Sequence, residues 1–160
     1  MKRTLISILV LMMMNSCYLF RKEPIYAVDP ELDQYYMLFL SEGMIRGQNN
    51  SHRDVSILFG DLSSYYKIYP GIQGIAFDCS WSRLEVNIVI DEKRWAKKDL
   101  ISREVIMMHE LGHAALGLHH SPDEDCESIM RSDLGCVIVN YKTLRTEMLN
   151  KLFGRTITIG

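Results

Sequence analysis

The chain has 160 residues, of which 48% are hydrophobic, so it is long enough to form one domain with a substantial core. Its 18 basic and 20 acidic residues give a net charge of -2 and include no long basic run. Because nucleic-acid-binding proteins neutralise phosphates with clustered lysine and arginine, this balance argues against a nucleic acid as a partner. We expect a monomer.

The N-terminus has the features of an export signal. A basic start precedes an apolar run over residues 5–14, which is too short to span a bilayer as a permanent helix. Ser16 and Cys17 follow, a small residue directly before a cysteine, and this sequence resembles the lipobox of bacterial lipoproteins. That resemblance implies a signal peptide over residues 1–16, and a chain that a lipid on Cys17 anchors to a bacterial membrane, on its periplasmic side or at the cell surface. An ordinary signal peptide cleaved nearby is the alternative.

Residues 17–28 are polar and lack hydrophobic periodicity, which predicts a tether between the membrane and a folded domain. Export would also permit a disulfide. Once Cys17 is set aside, three cysteines remain, and an odd number leaves one thiol unpaired. Cys126 and Cys136 are the closest in sequence, but a pair of either with Cys79 is also possible, and the spacing does not choose between them.

The domain, over residues 29–160, has the periodicity of an α+β fold. A helix is expected over 30–46, because Asp29 can cap it and a proline fits its first turn. Short strands are expected after it, at about 55–59, 75–77 and 84–90. The last of these is the clearest, since its apolar residues alternate along the chain.

Two further helices are predicted in the C-terminal half. Ser102 can cap a helix that continues to Gly117, and glycine is the common residue at a helix end. Asn140 is a candidate cap for a C-terminal helix that ends at Gly154.

The candidate functional residues of the chain are concentrated in the predicted helix that ends at Gly117. His109 and His113 are four residues apart and therefore share one helix face, where two imidazoles can bind one metal ion. Glu110 stands beside them, which completes the H-E-x-x-H pattern of two zinc ligands and a general base. Two solvated histidines on a surface helix are the alternative. Four of the five histidines lie within residues 109–120, and this concentration favours a Zn²⁺ site.

The order of elements and motifs over residues 29–160 resembles the metzincin clan of zinc peptidases, and most closely the matrixin catalytic domain; it is also similar to small lipoprotein peptidases of gut-type bacteria. The resemblance implies a metzincin-like zincin fold, with a small mixed twisted sheet, an N-terminal helix, an active-site helix and a C-terminal helix. It implies that Gly117 turns the chain towards a third zinc ligand. It also implies that Met130 forms a turn beneath the metal.

The spacing of the third ligand departs from the clan pattern. Three residues separate His113 from Gly117, where the clan has two. Counting from His113 by the clan interval reaches His119, whereas counting from the glycine reaches His120. We favour His120, because beyond the end of a helix the distance from the turn sets where a side chain points. The unused histidine would then be a supporting or solvated residue.

The resemblance implies a zinc-dependent endopeptidase in which Glu110 activates a water that attacks a protein or peptide substrate. The strand over 84–90 is expected to edge the cleft and to hold an extended substrate by strand addition. The alternative is a non-catalytic metal-binding or adhesive surface lipoprotein with the same fold. The presence of Glu110 favours the enzyme, because a protein that needed only the metal could dispense with the base.

Overall fold

The computed structural model describes residues 24–48, 52, 54–77 and 85–154. The predicted signal peptide, Cys17, Cys79 and Leu84 lie outside these residues. No helix of the described part is long and apolar enough to cross a bilayer. In chain order the elements are β1 (Tyr26–Val28), α1 (Pro30–Ile45), β2 (Asp54–Gly60), β3 (Gly74–Ala76), β4 (Glu85–Asp91), α2 (Glu92–Trp95), α3 (Leu100–Leu116) and α4 (Gly135–Leu152). The predicted α+β class is confirmed.

The four strands form one mixed sheet in the order β1-β2-β4-β3. β1, β2 and β4 run parallel, and β3 is antiparallel to β4. The expectation that the strand over 84–90 would edge the cleft is wrong, because β4 is paired on both sides. β3 is the edge instead, and its three residues are too few to show an alternating pattern in the sequence.

The segment predicted as an irregular tether, 17–28, ends in a strand. β1 pairs with β2 through the register Tyr26 to Val55, and the Ile25 backbone N–H donates to the Asp54 carboxylate over 2.9 Å. The sheet therefore begins ahead of the boundary that we placed at residue 29. A three-residue strand is too short to show an alternating pattern in the sequence.

The helix α1 spans Pro30–Ile45, which is close to the predicted range of 30–46. The Asp29 carboxylate accepts the Glu31 backbone N–H over 3.0 Å, and Pro30 occupies the first turn. Its apolar residues are buried, among them Leu32 and Phe39. They pack in a single core with the inward residues of β2 and β4 and with those of α3 and α4.

The helix α3 is the central element, because it contacts β3, β4, α1 and α4. Its cap is Asp99, whose carboxylate accepts the Ser102 backbone N–H over 2.8 Å, so the prediction of Ser102 as the cap is wrong. Both are good capping residues, and the one further upstream starts the helix. The helix is buried along most of its length, which fixes its position under the sheet.

The helix α4 begins at Gly135, five residues before the predicted cap Asn140. Val137 is fully buried and extends the apolar stripe by one turn towards the N-terminus. The Asn140 side chain does not cap a helix but donates to the Cys126 carbonyl over 3.3 Å. Gly154, just past the helix, has a φ of 68°, as expected for a helix-terminating glycine.

A partly buried ion network joins α1, α3 and α4. The Glu42 carboxylate on α1 pairs with Arg46 at 2.5 Å and with Arg145 on α4 at 2.6 Å. Arg145 also pairs with Glu104 on α3 at 2.8 Å, and Tyr141 donates to the same carboxylate. Burial raises the pKa of Glu42, but its hydrogen bonds to the two guanidinium groups outweigh this effect and hold the pKa below its usual range. The network fixes the spacing of three helices on which the site depends.

Candidate metal centre

The helix α3 places two histidines and a glutamate close together, and all three side chains line the same cavity. His109 and His113 lie one turn apart, and their rings meet edge to face with centroids 4.6 Å apart. His109 is buried and His113 is half-buried. Glu110 is only 7% exposed. The helix thus supplies two imidazoles and one carboxyl group to the same site.

The helix α3 ends at Gly117. The Gly117 backbone N–H donates to the His113 carbonyl over 3.1 Å, and the Leu118 N–H donates to the Gly112 carbonyl, six residues back, over 3.0 Å. Gly117 has a φ of 65°, which suits glycine because it lacks a Cβ atom. A left-handed glycine that closes the last helical carbonyls is a common helix end, and the chain turns back beyond it.

His120 joins the two helix histidines, and His119 does not. The Nε2 atom of His109 lies 3.1 Å from that of His113 and 3.3 Å from that of His120. One nitrogen from each of the three rings falls within 4.8 Å of the others, and this group could hold a metal ion. His119 is exposed and belongs to no such group within the described residues.

Two backbone carbonyls set which nitrogen of each helix histidine faces the cluster. The Nδ1 atom of His109 lies 2.8 Å from the Ile129 carbonyl oxygen, and that of His113 lies 2.6 Å from the Leu118 oxygen. A carbonyl can only accept, so both Nδ1 atoms donate and both Nε2 atoms keep a lone pair. Two such lone pairs 3.1 Å apart cannot bond to each other, and a cation between them satisfies both.

The donor set fits zinc. With Zn–N bonds of 2.0–2.1 Å in a tetrahedral arrangement, ligand nitrogens stand ~3.3 Å apart, close to the separations in this cluster. Burial lowers the pKa of His109 to about 4 and also lowers the pKa of His113. Both imidazoles are therefore neutral at pH 7, which is the form that binds metal.

Met130 lies directly against the middle of α3. It is 5% exposed, and its sulfur occupies the space that a Cβ atom on Gly112 would need. The preceding carbonyl, that of Ile129, is the one that accepts from His109. Sequence reasoning did not identify Gly112 as part of the site; the only signal is a glycine inside a helical pattern, which often marks close packing.

The Glu110 carboxyl group lies against the edge strand. A Cβ atom on Gly74 would stand 3.0 Å from both Cγ and Cδ of Glu110, so glycine permits this close approach. Burial raises the pKa of Glu110 to about 7, and a hydrogen bond with the Ala76 backbone opposes part of that rise. A carboxyl group with this pKa can both take up and release a proton near neutral pH.

A cavity of about 730 Å³ opens beside the cluster. The three histidines, Glu110 and the strand β3 line one part of it. The segment after Met130 and the start of α4 line another part. Its apolar lining includes Ile72, Ile106, Leu134 and Ile138. The cavity is large enough for several atoms of a substrate beyond the group that would react.

Cys126 and Cys136 form a disulfide, one of the pairings that the sequence left open. Their Cα atoms are 5.5 Å apart. The bond closes a loop that contains Ile129 and Met130, both in contact with α3. Cys79 lies outside the described residues.

Comparison of the chain with models of protein families, with characterised proteins and with solved structures finds no match.

The choice of third ligand can be tested with two neighbouring histidines. We expect His120→Ala to weaken zinc binding at least 100-fold, because one of three ligand nitrogens is lost. His119→Ala is the matched control and should change the affinity less than threefold, since its ring lies outside the cluster. Competition with a coloured chelator measures both dissociation constants. A loss of zinc in His119→Ala alone would show that the wrong histidine was chosen.

Proposed function

We propose that this chain is a zinc-dependent endopeptidase of the metzincin type. One observation carries the proposal: three imidazole nitrogens converge within 4.8 Å, beside a buried glutamate and an antiparallel edge strand. The three histidines would hold the zinc ion. Three neutral imidazoles leave one position of a tetrahedral ion for water or substrate, which is typical of catalytic and not of structural zinc.

Zinc bound there would supply a Lewis acid that lowers the pKa of water towards ~7 and polarises the peptide carbonyl. Glu110 would take the proton of the attacking water and later pass it to the leaving amine. Its buried position supports this role, because the pKa of about 7 suits a group that must accept and then donate. The carbonyls of Ile129 and Leu118 keep His109 and His113 oriented throughout.

The strand β3 is the best candidate for holding the substrate. It pairs with β4 on one side only among the described strands, and it also lines the cavity beside Glu110. An extended peptide can add to such an edge through backbone hydrogen bonds, with its side chains entering the cavity. The substrate is therefore a protein or peptide segment in an extended conformation. We also propose, from the sequence alone, that the chain is exported and carries a lipid on Cys17.

The proposed role of Glu110 is tested by Glu110→Gln. We expect cleavage of casein to fall by about 10²–10⁴-fold, because the amide cannot accept the proton, while the zinc content stays near one ion per chain. Glu147→Gln is the control, since Glu147 is an exposed glutamate on α4. Cleavage rate and metal content are measured on the same samples. Equal cleavage by Glu110→Gln and wild type would contradict the mechanism.

The same experiment separates the enzyme from the alternative function. Wild-type protein that binds one zinc ion but cleaves no protein or peptide would support a non-catalytic metal-binding or adhesive surface protein. Wild-type protein that binds no zinc would contradict both proposals.

The close approach of Glu110 to β3 gives a second test. We expect Gly74→Ala to lower kcat by about 10-fold, because the new Cβ atom would displace the Glu110 carboxyl group from the site. Zinc affinity should stay within threefold of wild type, since the three histidines are untouched. Gly71→Ala is the matched control, because nothing lies within 4 Å of the added Cβ atom. Equal kcat values for the two variants would show that the packing of Gly74 against Glu110 is irrelevant to catalysis.

A further inference from the structure

The segment from Cys126 to Cys136, here called the clamp loop, holds His109 and the chain next to His120 through its backbone. The Ile129 carbonyl accepts from Nδ1 of His109 over 2.8 Å. The Met130 carbonyl accepts the backbone N–H of Ser121, the residue after His120, over 2.8 Å. Ser121 and Arg131 also form an isolated parallel bridge. The position of the clamp loop therefore sets the orientation of His109 and the course of the chain at His120.

The clamp loop also shapes the cavity. Met130 packs its sulfur against Gly112 between the two helix histidines, and residues 132–135 line the cavity wall. The Cys126–Cys136 disulfide closes the loop at its two ends. One covalent bond thus restrains both the support of the metal ligands and the substrate wall.

Arg131 gives this disulfide an unusual environment. Its guanidinium Nη1 lies against the sulfur atoms of both Cys126 and Cys136. Within the part of the chain that the structure describes, no carboxylate forms an ion pair with Arg131, and its buried Nε atom has no hydrogen-bond partner. Arg131 is half-buried, and a guanidinium group forms its strongest hydrogen bonds with an anion. In the oxidised loop the neutral disulfide cannot supply that charge.

Reduction of the disulfide would create the missing anion. A cation beside a cysteine stabilises its thiolate, and a stabilised thiolate is a better leaving group in thiol–disulfide exchange. The two cysteines are half-buried, so a thiol reductant can reach them. Arg131 therefore favours a disulfide that can be opened, whereas a purely structural bond needs no such neighbour.

We propose that the Cys126–Cys136 disulfide is a redox switch for the zinc site. This inference rests on the proposed function, because it concerns the regulation of the same site. A dithiol, such as the active centre of a thiol–disulfide oxidoreductase, attacks one sulfur and breaks the S–S bond. The two cysteines take up two electrons and two protons in all, and the dithiol becomes a disulfide. If one cysteine stays as a thiolate paired with Arg131, its proton goes to solvent instead.

The oxidised form is the active form in this scheme. With the S–S bond intact, the clamp loop presents the Ile129 carbonyl to His109 and keeps Met130 beneath the site. With the bond broken, the loop loses its covalent closure, and the support of His109 and of the chain after His120 weakens. Export to an oxidising compartment would switch the enzyme on, and a reducing one would keep it weakly metallated.

The switch is tested by the rate at which zinc leaves the protein. Zinc-loaded wild type is treated with a trialkylphosphine, which leaves no thiol to compete for the metal, and transfer of zinc to a coloured chelator is followed. We expect zinc to leave about 10–100-fold faster after reduction, because the loss of contacts that support metal ligands weakens metal affinity by a similar factor. Alkylation and mass spectrometry identify Cys126 and Cys136 as the reduced pair. Reoxidation should restore the slow rate and peptide cleavage.

Two variants distinguish a redox switch from a disulfide that only stabilises the fold. Arg131→Gln should slow reduction of the disulfide by the phosphine or a dithiol about tenfold, because the leaving thiolate loses its cation, and Arg131→Lys should restore much of the rate. The Cys126→Ser/Cys136→Ser double variant should lose zinc as fast as the reduced wild type and should not respond to reductant. If that variant does not fold, reduction of the folded wild type serves as the same comparison.

Each outcome decides between the possibilities. Equal zinc dissociation rates in the two redox states, or equal reduction rates in wild type and Arg131→Gln, would overturn the switch. Loss of the helical circular dichroism signal on reduction would also overturn it, because the bond would then staple the whole fold. Protein that binds zinc and cleaves peptides in both redox states contradicts only the switch, whereas protein that binds no zinc in either state contradicts the proposed function as well.

Discussion

The site depends on two hydrogen bonds that each hold an imidazole by its Nδ1 atom. The Ile129 and Leu118 carbonyls accept these bonds, so the Nε2 lone pairs of His109 and His113 face each other 3.1 Å apart. Such an arrangement is unfavourable without a cation, and it persists only where the surrounding structure imposes it. The rest of the fold supplies that constraint, since the two carbonyls come from the turn after α3 and from the clamp loop.

The helix α3 connects the site to the rest of the molecule. It is buried against the sheet and against α1 and α4, and the network of Glu42, Arg145 and Glu104 holds the three helices together. Glycines stand where neighbours come closest: Gly112 against Met130, and Gly74 against Glu110. The three clustered histidines, Glu110 and β3 therefore belong to one packed unit, and the disulfide closes the loop that packs against α3.

Local sequence pattern predicted which histidines lie together better than it predicted the order and ends of the strands and helices. The spacing of His109 and His113 follows from helix periodicity, and counting from Gly117 pointed to His120, because both are properties of a short stretch of chain. The edge position of β3, the early strand β1 and the start of α4 depend on contacts between distant segments. The same holds for Gly74 and Gly112, whose neighbours are remote in sequence, and for the disulfide, which three cysteines could have formed in several ways.

X-ray absorption at the zinc edge of the metal-loaded protein tests the central proposal most directly. Three imidazole nitrogens at about 2.0–2.1 Å and one further oxygen ligand are expected, since the chain offers three converging imidazoles and leaves one open position. The same spectrum of His120→Ala should lose one imidazole. A sulfur ligand at about 2.3 Å, or fewer than three imidazoles in the wild type, would contradict the proposed centre.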